Sequence, residues 1–200
     1  MNFICATYNK GKFDEIRALF EERGFFIGAL PLAGENFPEA DETGRTFVEN
    51  AVIKARHYAG LLNYSSAVVA DDSGLVIDAI GGIPGVDSAL YMGRETPYEI
   101  KNRELLRLMK DVPPEKRSAR FVCAAACALP FTGEIIIAEG FFEGTVAFEP
   151  RGENGFGYDP IFFVPELGLT SAELPREMKN KRSHRGKAMK ALLDKISGAA

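Results

Sequence analysis

The chain has 200 residues, 46% of them hydrophobic, and a formal net charge of −4, which suits one globular domain spanning residues 1–200. Its longest apolar stretch, Phe121 to Phe131, is too short to span a bilayer, no basic segment of a signal peptide opens it, and Cys5, Cys123 and Cys127 lack the C-x-x-C spacing of a redox or zinc site, so buried free thiols in a cytoplasmic protein are expected. Residues 179–200 hold seven Lys or Arg and one acid, against 17 basic and 27 acidic residues in 1–178, a balance that fits a local anion site better than a grip along nucleic acid.

In chain order, Asn2–Ala6 reads as a short buried strand. Lys12–Arg23 reads as a helix, with Phe13, Ile16, Leu19 and Phe20 at helical spacing and Gly24 to end it. Phe25–Leu30 is a second strand, and Pro31–Glu42 a loop rich in Pro, Gly and acids. Thr46–Leu62 is a long helix with Phe47, Ala51, Ala55 and Tyr58 on one stripe. Ala67–Ala70 is a strand that Leu75–Ala79 extends, Gly81–Gly85 a loop, and Pro97–Met109 a helix closed by Val112-Pro113-Pro114. Ala119–Leu129 and Ile135–Phe142 flank Thr132-Gly133, a hairpin signal. Ile161–Val164 is a further strand and Arg182–Ile196 a terminal helix. Early helices followed by hairpin-paired strands predict an α/β fold on a mixed sheet.

Several stretches carry more than a fold needs. Thr7-Tyr8-Asn9-Lys10-Gly11-Lys12 joins a strand to a helix start, where free N–H groups and the helix dipole favour phosphate. It is no Walker A loop, because Ala6 and Phe13 stand where Gly and Ser or Thr are required. A plain helix start with two solvated lysines is the alternative. Asp41 and Glu42 precede the long helix as caps for it or as ligands for a divalent metal. Asn50 and Lys54 lie one helical turn apart on the same face.

Asp71-Asp72-Ser73-Gly74 sets two carboxylates into an apolar strand. Alternation sends their side chains to opposite faces, so one Asp can meet a pocket while the other is held by backbone or packing. Adjacent like charges need a cation or donors nearby, which favours a metal site or general base over a turn. Of the two histidines, His57 is structural and His184 stands in Ser183-His184-Arg185-Gly186. Arg185 offers a planar fork for phosphate or for purine O6 and N7, and Lys179 can join it. Gly155-Phe156-Gly157-Tyr158-Asp159-Pro160 combines close backbone approach with a stacking ring and a fixed acceptor. Together these suggest a flat, polar, anionic ligand such as a nucleotide.

In this order the blocks resemble the inosine triphosphate pyrophosphatases, which act on non-standard purine nucleotides. They are Thr7-x-Asn9-x-x-Lys12, Glu42-Thr43-Gly44-x-Thr46-Phe47-x-Glu49-Asn50-Ala51-x-x-Lys54-Ala55, Ala70-Asp71-Asp72-Ser73-Gly74-Leu75, Gly82-x-Pro84-Gly85, Gly155 to Pro160 and Ser183 to Gly186. Each is weak alone; their joint order is specific.

The resemblance implies a mixed β-sheet with flanking helices, two lobes around a central cleft that holds the site, and a homodimer. It implies Mg2+-dependent hydrolysis of ITP, dITP and XTP to the monophosphate and pyrophosphate, with no stable nucleic-acid or membrane partner. By position, Thr7 to Lys12 would hold the triphosphate, Asp72 would be general base and metal ligand, and Ser73 a nucleotide contact. Asp41 or Glu42 would supply a second metal ligand. Phe156, Gly157, Tyr158, Asp159, Lys179, His184 and Arg185 would recognise the base and nearby groups. Tyr8 stands where the family often has a small residue and would narrow the phosphate loop. The competing readings are a pyrophosphatase for other modified nucleotides and a non-catalytic nucleotide- or RNA-binding module.

Overall fold

The computed structural model describes residues 2–30 and 37–198. The first half of the Pro31–Glu42 loop expected from the sequence, residues 31–36, therefore lies outside the described residues. Seven strands form one sheet: β1 (Phe3–Cys5), β2 (Ile27–Ala29), β3 (Ala67–Ile77), β4 (Ser118–Ala128), β5 (Ile135–Val146), β6 (Phe162–Val164) and β7 (Leu169–Thr170), in the order β2-β1-β3-β4-β5-β6-β7. β1 runs parallel to β2 and β3, while β6 runs antiparallel to β5 and β7. The sheet is mixed, as expected.

The described residues contain five α-helices: α1 (Lys10–Glu22), α2 (Phe47–Leu61), α3 (Tyr98–Leu108), α4 (Arg176–Arg182) and α5 (His184–Gly198). None of them is long and apolar enough to cross a membrane. α2 begins where the sequence expects it, because Thr46 and Glu49 form a reciprocal capping box. The expected terminal helix over 182–196 is corrected: Ser183 is extended and separates two helices. α4 was invisible because only Lys179 and Asn180 are buried in it, and polar burial leaves no apolar period. β7, at two residues, is too short to show alternation.

The chain divides into two compact units, one of residues 1–72, 123–140 and 184–200, the other of 73–122 and 141–183. In the first, strand alternation sorts the core. Val69, Cys123, Ala125 and Cys127 pack with Ile16, Leu19 and Phe20 of α1 and Met189, Leu192 and Leu193 of α5. Val68, Ala70, Ala124, Ala126 and Ala128 pack with Ala51, Ala55, Tyr58 and Ala59 of α2. Odd residues of β3 and β4 thus face α1 and α5, and even ones face α2. The second unit has its own core of Leu75, Leu105, Met109, Phe142, Tyr158 and Phe162. The three cysteines are free and buried, and burial pushes the Cys127 thiol up to about 12, which leaves it inert as a nucleophile.

Candidate active site

β3 runs unbroken through both acids, so the alternation that sorts the core also separates them. Asp71 falls on the α1 and α5 side, 2% exposed. Its Oδ2 lies 3.2 Å from Lys12 Nζ and accepts from Nε and Nη2 of Arg185 at 3.3 Å each. Arg185, itself 2% exposed, also donates through Nη1 to Glu15 of α1. The sequence expectation of backbone or packing around the inward Asp is corrected: ion pairs hold it. Burial pushes the Asp71 carboxyl up, but Lys12 and Arg185 outweigh it and hold the group well below the usual carboxylate range.

Asp72 falls on the α2 side. Its Oδ1 accepts from Lys54 Nζ at 3.1 Å and its Oδ2 from Asn50 Nδ2 at 3.3 Å. Asn50 Oδ1 accepts from Gly44 N at 2.8 Å, and a Cβ at Gly44 would collide with Asn50, so only glycine allows that approach. Burial raises the Asp72 pKa, with Lys54 opposing it. Burial depresses Lys54 in turn, yet Asp72, Asp71 and Glu42 together keep it protonated.

Glu42 Oε2 also accepts from Lys54, at 2.7 Å. Of the acidic pair considered for metal, Glu42 therefore reaches the group that Asp72 reaches. Asp41 does not join them: both acids are exposed, but only Glu42 forms an ion pair with Lys54 among the described residues. Two carboxylates drawn to one cation are a donor set that Mg2+ accepts, because that ion takes one or two carboxylates and completes its shell with water and substrate phosphates. Among the described residues no group of three His, Cys, Asp or Glu gathers as a self-sufficient cage. Glu42 and Asp72 fit a Mg2+ ion that shares phosphate ligands.

At the start of α1, Asn9 is the N-cap. Its Oδ1 accepts from Lys12 N at 3.0 Å, and Thr7 Oγ1 accepts from Asn9 N at 3.2 Å. Lys10 and Gly11 occupy the first helical positions, whose N–H groups have no partner inside a helix, and the Lys10 side chain is exposed. Tyr8 is 49% exposed. Its hydroxyl donates to Phe37 O at 3.0 Å and its ring meets Tyr58 edge-on, so these contacts engage it with the α2 side. His57 accepts the structural reading, with Nε2 2.8 Å from Pro38 O. His184 is buried as the first residue of α5.

In the second unit, residues 155–159 form a tight turn with Gly155 and Gly157 at φ +76 and +71. A Cβ at Gly155 would overlap the Asp159 carboxylate. Asp159 is 3% exposed. Its Oδ2 accepts from Phe156 N at 2.9 Å and Lys179 Nζ at 2.6 Å, and its Oδ1 from Ser171 Oγ at 2.8 Å. Lys179 Nζ also stands 5.0 Å from the Phe156 ring centroid. Tyr158 is buried, donates to Ser88 O at 2.7 Å and meets Tyr98 edge-on. Asp159 and Tyr158, expected as ligand contacts, make contacts that brace the turn, and Phe156 is partly buried. Ser73 follows Asp72 in β3, also partly buried.

Three expected residues have partners inside the protein: Arg185 donates to Asp71 and Glu15, and Asp159 and Tyr158 make their contacts with Phe156, Ser171 and Ser88. Asn50, Lys54 and Asp71 stood out in the sequence, the first two by their spacing and the third beside Asp72, without the roles their contacts give them, and Glu15 and Ser171 were not singled out. Glu15, beside the apolar stripe of α1 and three residues after Lys12, carried a weaker signal. Ser171 carried none.

The Ham1 family profile matches residues 3–195. A dITP/XTP pyrophosphatase of Pectobacterium atrosepticum is 45% identical, covering 98% of each chain. Another, of Geobacillus kaustophilus, is 48% identical over 94% of this chain and 91% of its own. The solved structure of a HAM1 protein from Coxiella burnetii superposes with a TM-score of 0.86 at 39% identity, over 100% of both chains.

Proposed function

Because the chain belongs to the Ham1 family, we propose that it is a nucleoside triphosphate pyrophosphatase that converts non-standard purine nucleotides (ITP, dITP and XTP) to the monophosphate and pyrophosphate. The observation that carries the reading is the pair of opposed carboxylates on β3. Asp71 is locked by Lys12 and Arg185, while Asp72 sits beside Lys54 and Glu42 with a raised pKa. The same reading carries a homodimeric, cytoplasmic enzyme, on family resemblance alone.

Lys10, Lys12 and the first N–H groups of α1 bind the triphosphate. Asp72 orients a water and takes its proton as the water oxygen bonds to the α-phosphorus. The bond from the α-phosphorus to its bridging oxygen breaks, and pyrophosphate leaves with that electron pair. A carboxylate is a weak base at neutral pH, and the raised pKa of Asp72 makes it a stronger one. Lys54 keeps the carboxylate ionised and aimed. Glu42 and Asp72 would hold Mg2+, which neutralises phosphate charge and acidifies bound water when present.

The 155–159 turn, with Phe156 as its ring and Lys179 beside it, takes the purine. Backbone N–H groups of that turn supply donors for a 6-oxo group, and family resemblance adds His184 to the residues that recognise the base. ATP carries an amino donor at that position, and a donor left facing a donor costs about 1–3 kcal/mol.

Pyrophosphate release from ITP, XTP, GTP and ATP, with and without Mg2+, tests this. Metal-dependent release from ITP and XTP, with ATP and GTP slow, is the expected result. Release only from modified pyrimidine or methylated nucleotides would move the activity to another substrate class, and no release at all would end the catalytic reading. Lys54→Met adds a pH test. The base must be ionised, so kcat/KM falls as pH drops through the Asp72 pKa. Burial places that limb above the ordinary aspartate value of 3.8, and loss of the opposing ammonium moves it further up. An unmoved limb would detach Lys54 from Asp72.

A further inference from the structure

We infer that Asn102 is a positioning residue for the base-binding turn, acting through the Gly157 carbonyl; this rests on the proposed role of that turn in taking the purine. Asn102 lies in α3 and is 4% exposed. Its Nδ2 donates to Gly157 O at 3.0 Å, and its Oδ1 has no hydrogen-bond partner among the described residues. The amide orientation follows, because the flipped form would set two acceptors against each other.

As a structural residue Asn102 is a poor choice. Asparagine is a weak helix former, a buried acceptor without a partner is unfavourable, and α3 contributes Leu105 to an apolar core. A leucine would serve packing better. What an apolar residue cannot supply is the donor to Gly157.

That donor matters because of where the turn is otherwise tied. Phe156 N is held by Asp159, and the Asp159 side chain is held by Ser171 and Lys179. Those ties fix the backbone before the Phe156 ring. After it comes Gly157, at φ +71 and with no side chain to restrain it. α3 supplies the restraint from the other side: Asn102 on the carbonyl, and the Tyr98 ring 5.1 Å from that of Tyr158. Lys101, one residue earlier, ties the helix to Ala89 O at 2.9 Å. A Phe ring used for stacking must be held before the ligand arrives, since ordering it on binding lowers affinity.

Two variants test the inference, Asn102→Leu and Asn102→Asp. Each removes the amide donor, the first with apolar filling and the second with near-identical shape, its carboxylate being acceptor-only while ionised. The expected result for Asn102→Leu is an unchanged or higher Tm with KM for ITP raised at least about tenfold and kcat changed far less. Asn102→Asp is expected to raise KM similarly, and Asn102→Gln, which keeps a donor, to recover part of the loss. A folded Leu variant with wild-type KM overturns the inference, as does loss of folding in both variants, which would make Asn102 structural. Failure of the wild-type enzyme to turn over ITP would instead overturn the substrate reading, and is seen before any variant is made.

Discussion

Replacement of Asp72 by Asn is expected to lower kcat by at least about 100-fold, the usual loss for a general base, with the far-UV spectrum of the folded wild type and a Tm lower by only several degrees. The substitution preserves shape and keeps an oxygen acceptor for Lys54. It removes the one property the reaction needs, a site that takes the proton of the attacking water. The stability effect should be limited to about 1–3 kcal/mol, because Lys54 keeps its acceptor while the new Nδ2 faces the Asn50 Nδ2 donor. The acid limb of kcat/KM should disappear with the carboxyl that produces it, which separates loss of the base from a general loss of affinity. A variant that retained near-full activity would remove Asp72 from the mechanism and leave β3 without a base.

Arg185→Ala is expected to be the most destabilising single change in the site, about 3–5 kcal/mol, a fall in Tm on the order of 10 °C for a chain of this size. The reason is what it leaves behind. Asp71 is 2% exposed and Glu15 7% exposed, and both donate nothing; each needs the guanidinium that lies between them. Removing one partner of a buried pair costs more than the pair contributes, because the survivor stays desolvated.

The pH dependence has a definite sign. Asp71 is depressed in the folded state, so its contribution is present above the ordinary value of 3.8 and is lost as pH falls through the depressed one. Arg185→Ala should shrink that acid sensitivity, since the guanidinium is one of the cations that depress Asp71. Turnover of ITP and ATP should fall together if the contacts of Arg185 with Asp71 and Glu15 are its role. A stable variant with an altered ITP to ATP ratio would return Arg185 to base recognition.

Much of this arrangement was legible from the chain alone. The 3.6-residue period of Phe13, Ile16, Leu19 and Phe20 marked α1, and the stripe of Phe47, Ala51, Ala55 and Tyr58 marked α2. Alternation along β3 predicted that Asp71 and Asp72 part to opposite faces, because the side-chain period of a strand is set by local geometry. The blocks that carry the family resemblance also lie in the sequence as it stands.

Only the tertiary structure decided which partners each acid meets. Asp71 is bound by residues 59 and 114 positions away in sequence, Lys12 and Arg185, and no local pattern encodes a contact made by packing α1 and α5 on one sheet face. The same holds for Glu42 over Asp41, since helix α2 brings Lys54 to Glu42. Tyr158 and Asp159 read as ligand groups because polar and aromatic residues in a glycine turn look exposed. Their hydroxyl and carboxylate instead satisfy buried groups on Ser88, Ser171 and Lys179. The sequence by itself determined most of the elements, their buried faces and the candidate chemistry, because periodicity is local, while α4 and β7 left no such period. Which charges face each other depends on long-range packing, and only the folded chain decides that.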